Sequence, residues 1–124
     1  KQHQIQTVSQ IRSLEEARDA IANGYGVAVC SNQGFSSVRD SKGFARAQGS
    51  WSHGMAWTGV DDSGSEPAFL DQNSWGAWNS GGQPDWGPIP PGSFLIHADI
   101  AHRMISAGGA FAFSNNYNYS YSSY

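Results

Sequence analysis

Ser52-His53-Gly54-Met55-Ala56-Trp57-Thr58-Gly59-Val60, then Asp61-Asp62-Ser63-Gly64, then Ala68-Phe69-Leu70 running into Gln72-Asn73-Ser74-Trp75-Gly76, is the stretch whose reading decides the fold. The first run reads as a strand. The Asp-Asp-Ser-Gly cluster reads as its turn, and the residues from Ala68 as the returning strand. An antiparallel hairpin of this kind brings His53, near the start of one strand, beside Asn73, near the end of the next.

Working outward, Val27-Ala28-Val29-Cys30 is a short apolar run after Gly26 and reads as a buried strand. Ahead of it, Ser13-Leu14-Glu15-Glu16 has the form of a capping box, Leu14, Ala17 and Ile21 share one helical face, and Asn23-Gly24 supplies a stop. This predicts a helix over 13–23, with residues 1–12 as a lead-in strand or loop. The polar, Gly/Ser-rich stretch 31–50 reads as an excursion loop, and the Gly/Pro/Trp-rich stretch 77–92 as irregular. Ser93–Ile96 reads as a strand. Ala98–Ala107 reads as a second helix, with Asp99 as cap and Gly108-Gly109 as stop, and Ala110–Phe113 as the last strand. The fold class is α+β: an antiparallel sheet or half-barrel with one N-terminal helix and one short C-terminal helix. Residues 1–113 form one domain. Residues 114–124 are a low-complexity tail in which Tyr117, Tyr119 and Tyr121 share a face if extended, a composition suited to β association with another chain.

Composition agrees. A chain of 124 residues with 15 glycines and 16 aromatic residues is long enough for one core and points to strands and loops, not a helical bundle. Charged residues are 14 % of the chain and the formal charge is −3, so no basic patch awaits nucleic acid. No apolar run approaches the ~20 residues of a membrane span. The first residue is Lys1, no signal peptide is visible, and the single cysteine excludes an intramolecular disulfide without fixing a compartment.

The chemistry sits in the hairpin. An imidazole activates a thiol by taking its proton, and needs a third group to fix its tautomer. The Asn73 side-chain oxygen does this without adding charge, and Trp75 would cover the bond from water. A histidine followed by small and apolar residues, with Asn-Ser-Trp-Gly some 20 residues later, resembles the papain-like cysteine peptidases. The resemblance spans about residues 13–98 and is to their C-terminal, right-hand domain. It implies that His53 is the acid–base residue, Asn73 its orienting partner and Trp75 its shield. In that family the nucleophilic cysteine precedes the histidine and asparagine by about 130–150 residues. Its position therefore falls before Lys1, and the resemblance covers one wall of a two-domain cleft.

Cys30 precedes His53 and Asn73 in an order that fits a triad. It ends an apolar strand, however, and lacks the helix N-terminus that lowers a thiol pKa, so a half-buried structural thiol is expected. Trp78 and Trp86 would either line a peptide or glycan groove or pin the irregular loop onto the sheet. His3, His97, Asp99 and His102 lack metal-ligand spacing, and neither metal nor cofactor is expected. Two functions follow. One is a peptidase-like domain without its nucleophile half, non-catalytic alone and serving as a self-assembling subunit of a virion or extracellular filament. The other is the C-terminal half of an active peptidase whose cysteine lies on an upstream or partner segment. The partner is protein in both cases.

Overall fold

A computed structural model describes residues 7–64 and 67–114; His3, Tyr117, Tyr119 and Tyr121 lie outside them. Among the described residues the chain runs β1 (Thr7–Gln10), α1 (Leu14–Ala22), β2 (Gly26–Arg39), β3 (Ala45–Asp61), β4 (Ala68–Gln72), β5 (Ser80–Gly81), β6 (Ser93–His97), α2 (Ala98–Ser106) and β7 (Ala110–Ser114). The sheet order is β1-β7-β2-β3-β4-β6, antiparallel at every step, with the short β5 added in parallel to β2. The α+β reading, with one helix early and one late, describes this architecture.

Local chemistry explains the helices. Ser13 Oγ accepts from the Glu16 N–H at 3.1 Å, and Glu16 reaches back to the Arg12 N–H at 3.1 Å, one residue before the cap. At the other end Tyr25 N–H donates to Ala20 O and Gly24 N–H to Ile21 O, both 3.0 Å, with Gly24 at φ +78°. That pairing needs a left-handed residue, which glycine supplies. Asp99 does not cap α2: His97 holds the cap position without a side-chain capping bond, and Asp99 Oδ1 instead accepts from the Ile100 N–H at 2.9 Å.

The excursion loop expected over 31–50 is instead the body of a long hairpin. β2 and β3 pair from Val27–Trp57 out to Arg39–Ala45, with register shifts after Ser31, Gln33 and Phe35. The reason is that one face of this ribbon is wet. Phe35 and Ala45 are buried and Trp51 is half-buried, while Arg46, Gln48 and Ser50 are exposed. Polar residues on the outer side hide the alternation from a composition-based reading. The hairpin tip then curls to the far edge of the sheet: Leu95 N–H donates to Gly43 O at 2.8 Å, and Phe44 bridges Leu95. The sheet thus nearly closes on itself.

Inward-facing residues of β2, β3, β4, β6 and β7 (among them Val27, Val29, Trp57, Phe69 and Ile96) meet Ala17, Ala20, Ala101, Met104 and Ile105 of the helices. Ser114, placed in the tail by composition, is buried in β7 opposite Thr7. No described helix is long and apolar enough to cross a membrane.

Candidate functional site

The strand period selects the site. Along β3, Trp51, His53, Met55 and Trp57 face inward while Ser52, Gly54, Ala56 and Thr58 are exposed. β4 runs antiparallel beside it, with Trp57 opposite Asp71 and Ala56 opposite Gln72. Asn73, just past the end of β4, therefore lies on the His53 side. His53 Nε2 and Asn73 Oδ1 are 2.7 Å apart in a half-buried setting. Asn73 Oδ1 also accepts from the Ser74 N–H at 2.7 Å. An oxygen already receiving a backbone hydrogen is fixed as the amide's acceptor, so the amide orientation is set and His53 must donate through Nε2–H. In the neutral ring this leaves Nδ1 with a lone pair. Among the described residues no side chain hydrogen-bonds Nδ1.

Aromatic rings frame the pair. Trp75 stacks on the imidazole at a centroid distance of 4.4 Å and 23° between planes, with 45 % of its surface open. Trp51 meets His53 edge-on (5.9 Å, 83°) and Trp75 edge-on (4.9 Å, 81°). Trp78 packs edge-on against Trp75 at 5.4 Å and against Phe94 at 6.1 Å, and its Nε1–H donates to Gly92 O at 3.1 Å. Trp78 is thus a pin for the 77–92 loop, and through that loop it supports Trp75. Trp51 was not singled out from sequence. Its signal was the inward phase of β3, hidden because 31–50 read as loop and the strand was read only from Ser52, whereas β3 begins at Ala45.

Several buried polar atoms around the pair lack a protein partner: Asn73 Nδ2, Trp51 Nε1 and Asp71 Oδ1. Each such atom costs about 1–3 kcal/mol. Asp71 is wholly buried; its Oδ2 accepts from Trp57 Nε1–H at 3.0 Å. Burial pushes its carboxyl up to about 8, partly offset by that hydrogen bond, so at neutral pH it keeps its proton.

Cys30 is exposed, not half-buried. It pairs with Gly54, whereas His53 pairs with Ser31, and adjacent pairs of an antiparallel ladder point to opposite faces. A Cβ on Gly54 would lie 3.2 Å from Cys30 Sγ, so the thiol rests over Gly54 on the outer face. Cys30 and His53 both border an open depression of about 520 Å³ with Gly54 and Gly109, and the alternation of the ladder directs their side chains to opposite faces of the β2–β3 ribbon.

Trp86 sits elsewhere, on the loop beside the β3–β4 turn, where Nε1–H donates to Asp61 Oδ2 at 2.8 Å. His97 stacks on Phe44 at 4.0 Å, and His102 is exposed on α2. Among the described residues no group of three or more His, Cys, Asp or Glu side chains is placed to hold a metal ion.

Comparison with protein-family models, with curated proteins and with solved structures gave no match. The functional reading therefore rests on this chain's own residues and their geometry.

Proposed function

We propose that this chain is the acid–base half of a papain-like cysteine-peptidase architecture, inactive alone and completed by a cysteine from another segment or chain. One observation carries the reading: His53 is locked to Asn73 through Nε2 at 2.7 Å under the Trp75 ring, with Nδ1 left free. A histidine serving only as a surface residue has no need of an amide that fixes its tautomer and an indole that covers it. In the proposed chemistry Nδ1 takes the proton of an incoming thiol. The thiolate attacks the peptide carbonyl, and the proton passes from His53 to the departing amine as the thioester forms. Water then cleaves the thioester, with the same nitrogen as base. Asn73 holds the ring through both steps and stays neutral. Cys30, the chain's only cysteine, projects from the opposite face and takes no part.

The test is labelling of the native material with an active-site-directed thiol probe at neutral pH, with His53→Ala as control. Labelling of a cysteine other than Cys30 that disappears with His53→Ala is the expected result. Labelling confined to Cys30 and indifferent to His53 would overturn it. A second reading, a self-assembling subunit, has its own support: Val8 and Phe111 stand 63 % and 37 % exposed on β1 and β7. Exposed apolar surface of this kind suits an interface between copies. A monomer at all concentrations in sedimentation velocity would remove that reading.

A further inference from the structure

The Trp86 loop is independent of the His53 site, and its geometry is that of a small binding platform. The indole is 54 % exposed, yet it is fixed. Its N–H is committed to Asp61 Oδ2 at 2.8 Å, and Asp61 Oδ1 accepts from the Ser63 N–H at 2.9 Å. In the loop that carries the ring, Gly87 N–H closes a turn on Pro84 O at 3.1 Å, and Gln83 Oε1 accepts from the N–H of buried Ile89 at 3.0 Å. The polar edge of the ring is therefore already satisfied by protein, and what remains on offer is its apolar face.

Trp86 borders a depression of about 250 Å³ whose lining includes the apolar Phe44, Pro84 and Leu95 and the polar Lys42, Asp61, Ser63 and Asp85. Neither the Lys42 ammonium nor the Asp85 carboxylate forms an ion pair or hydrogen bond among the described residues, and they do not pair with each other. A donor and an acceptor thus stand free beside an immobilised aromatic face. The space is below the ~300–1,000 Å³ of ordinary ligand clefts and fits a single ring.

We infer that Trp86, Lys42 and Asp85 form a binding site for one neutral sugar ring, such as a terminal pyranose of a glycan. A pyranose has an apolar C–H face to lay on the indole. Its hydroxyls both donate and accept, which uses the carboxylate and the ammonium together. A proline ring would use the indole and leave both charges unengaged. A nucleotide would bring its phosphate against Asp61 and Asp85 in a chain of net charge −3.

The test is an NMR titration of the whole chain with the methyl glycosides of glucose, mannose and galactose and with N-acetylglucosamine, following the backbone amides of Lys42, Phe44 and Asp85, which line the depression and persist in every variant, together with the Trp86 indole N–H in the parent. At least one sugar is expected to give a saturable shift with a dissociation constant on the order of millimolar. Trp86→Ala should abolish it with the rest of the spectrum intact, and Lys42→Ala or Asp85→Asn should weaken it about tenfold. Trp86→Phe, which keeps a ring but loses the anchor to Asp61, should bind more weakly than the parent. No saturable shift with any sugar, or shifts unchanged in Trp86→Ala, would overturn the site. A response to a proline-rich peptide but to no sugar would overturn its ligand class.

Discussion

β3 and β4 are joined by two side-chain hydrogen bonds of the same design, and they have opposite characters. In both, a ring N–H on β3 meets an oxygen at or just past β4. Trp57 donates to Asp71 at 3.0 Å in the core; His53 donates to Asn73 at 2.7 Å four residues nearer the sheet's open end. Full burial makes the first pair static. Its carboxyl is pushed up to about 8 and stays neutral, and its donor has no second nitrogen to offer. Partial burial and a two-nitrogen ring make the second pair chemical, because fixing one nitrogen exposes the other as a base. The same strand geometry gives a strut where it is dry and a reactive group where it meets solvent.

The comparison can be broken at the strut first. Trp57→Ala removes a wholly buried indole packed 4.9 Å from Phe69 and strands the Asp71 carboxyl. Unfolding in urea should show a loss of about 3–5 kcal/mol. A loss below about 1 kcal/mol would mean that this pair is not the core strut described.

Asp71→Asn is next, and its effect depends on pH. The unfolded carboxyl ionises near ~3.9 and the native one near 8. Between these values the unfolded chain releases a proton that the native chain keeps, so stability falls as pH rises, by up to about 1.4 kcal/mol per pH unit. Below and above that window the contribution is flat. Asparagine keeps an acceptor for Trp57 and cannot ionise. The difference between variant and parent should therefore be small near pH 4, grow in the variant's favour, and level off above pH 8. A difference that does not vary with pH would refute a protonated Asp71.

Asn73→Ala should matter least to the fold. Its bonds are half-exposed and its own Nδ2 is unsatisfied, so a loss of about 1 kcal/mol or less is expected in the same urea assay. A larger loss would assign Asn73 to the scaffold.

Much of this was legible in the sequence, and the failures have a common cause. The first helix announced itself through its capping box and the core strands through apolar runs, whereas α2 was bounded by Gly108-Gly109 and not by the Asp99 cap expected of it. His53 and Asn73 could be brought together because β3 and β4 are consecutive strands that pair antiparallel, although the pairing carries a register shift between Trp57 and Gly59. The 31–50 segment was not legible because its outer face is solvated, so that only Phe35 and Ala45 are buried apolar residues among its polar and glycine residues. Trp51, the third ring of the site, fell between that loop and the strand read from Ser52. Asp71 was missed because an aspartate in a short strand looks like a turn or surface residue until its burial is known. Cys30 sat in an apolar run and looked half-buried, but it falls on the outward phase of β2, over a glycine that leaves it open.

The central claim is that Asn73 holds His53 as the Nε2–H tautomer and leaves Nδ1 basic. Long-range ¹H–¹⁵N correlation spectra of the imidazole, recorded above its titration in the parent and in Asn73→Ala, test it most directly. The account predicts a protonated Nε2 and a bare Nδ1 in the parent, and a loss of that preference in Asn73→Ala. A parent ring protonated at Nδ1, or a tautomer unchanged when Asn73 is removed, would contradict it.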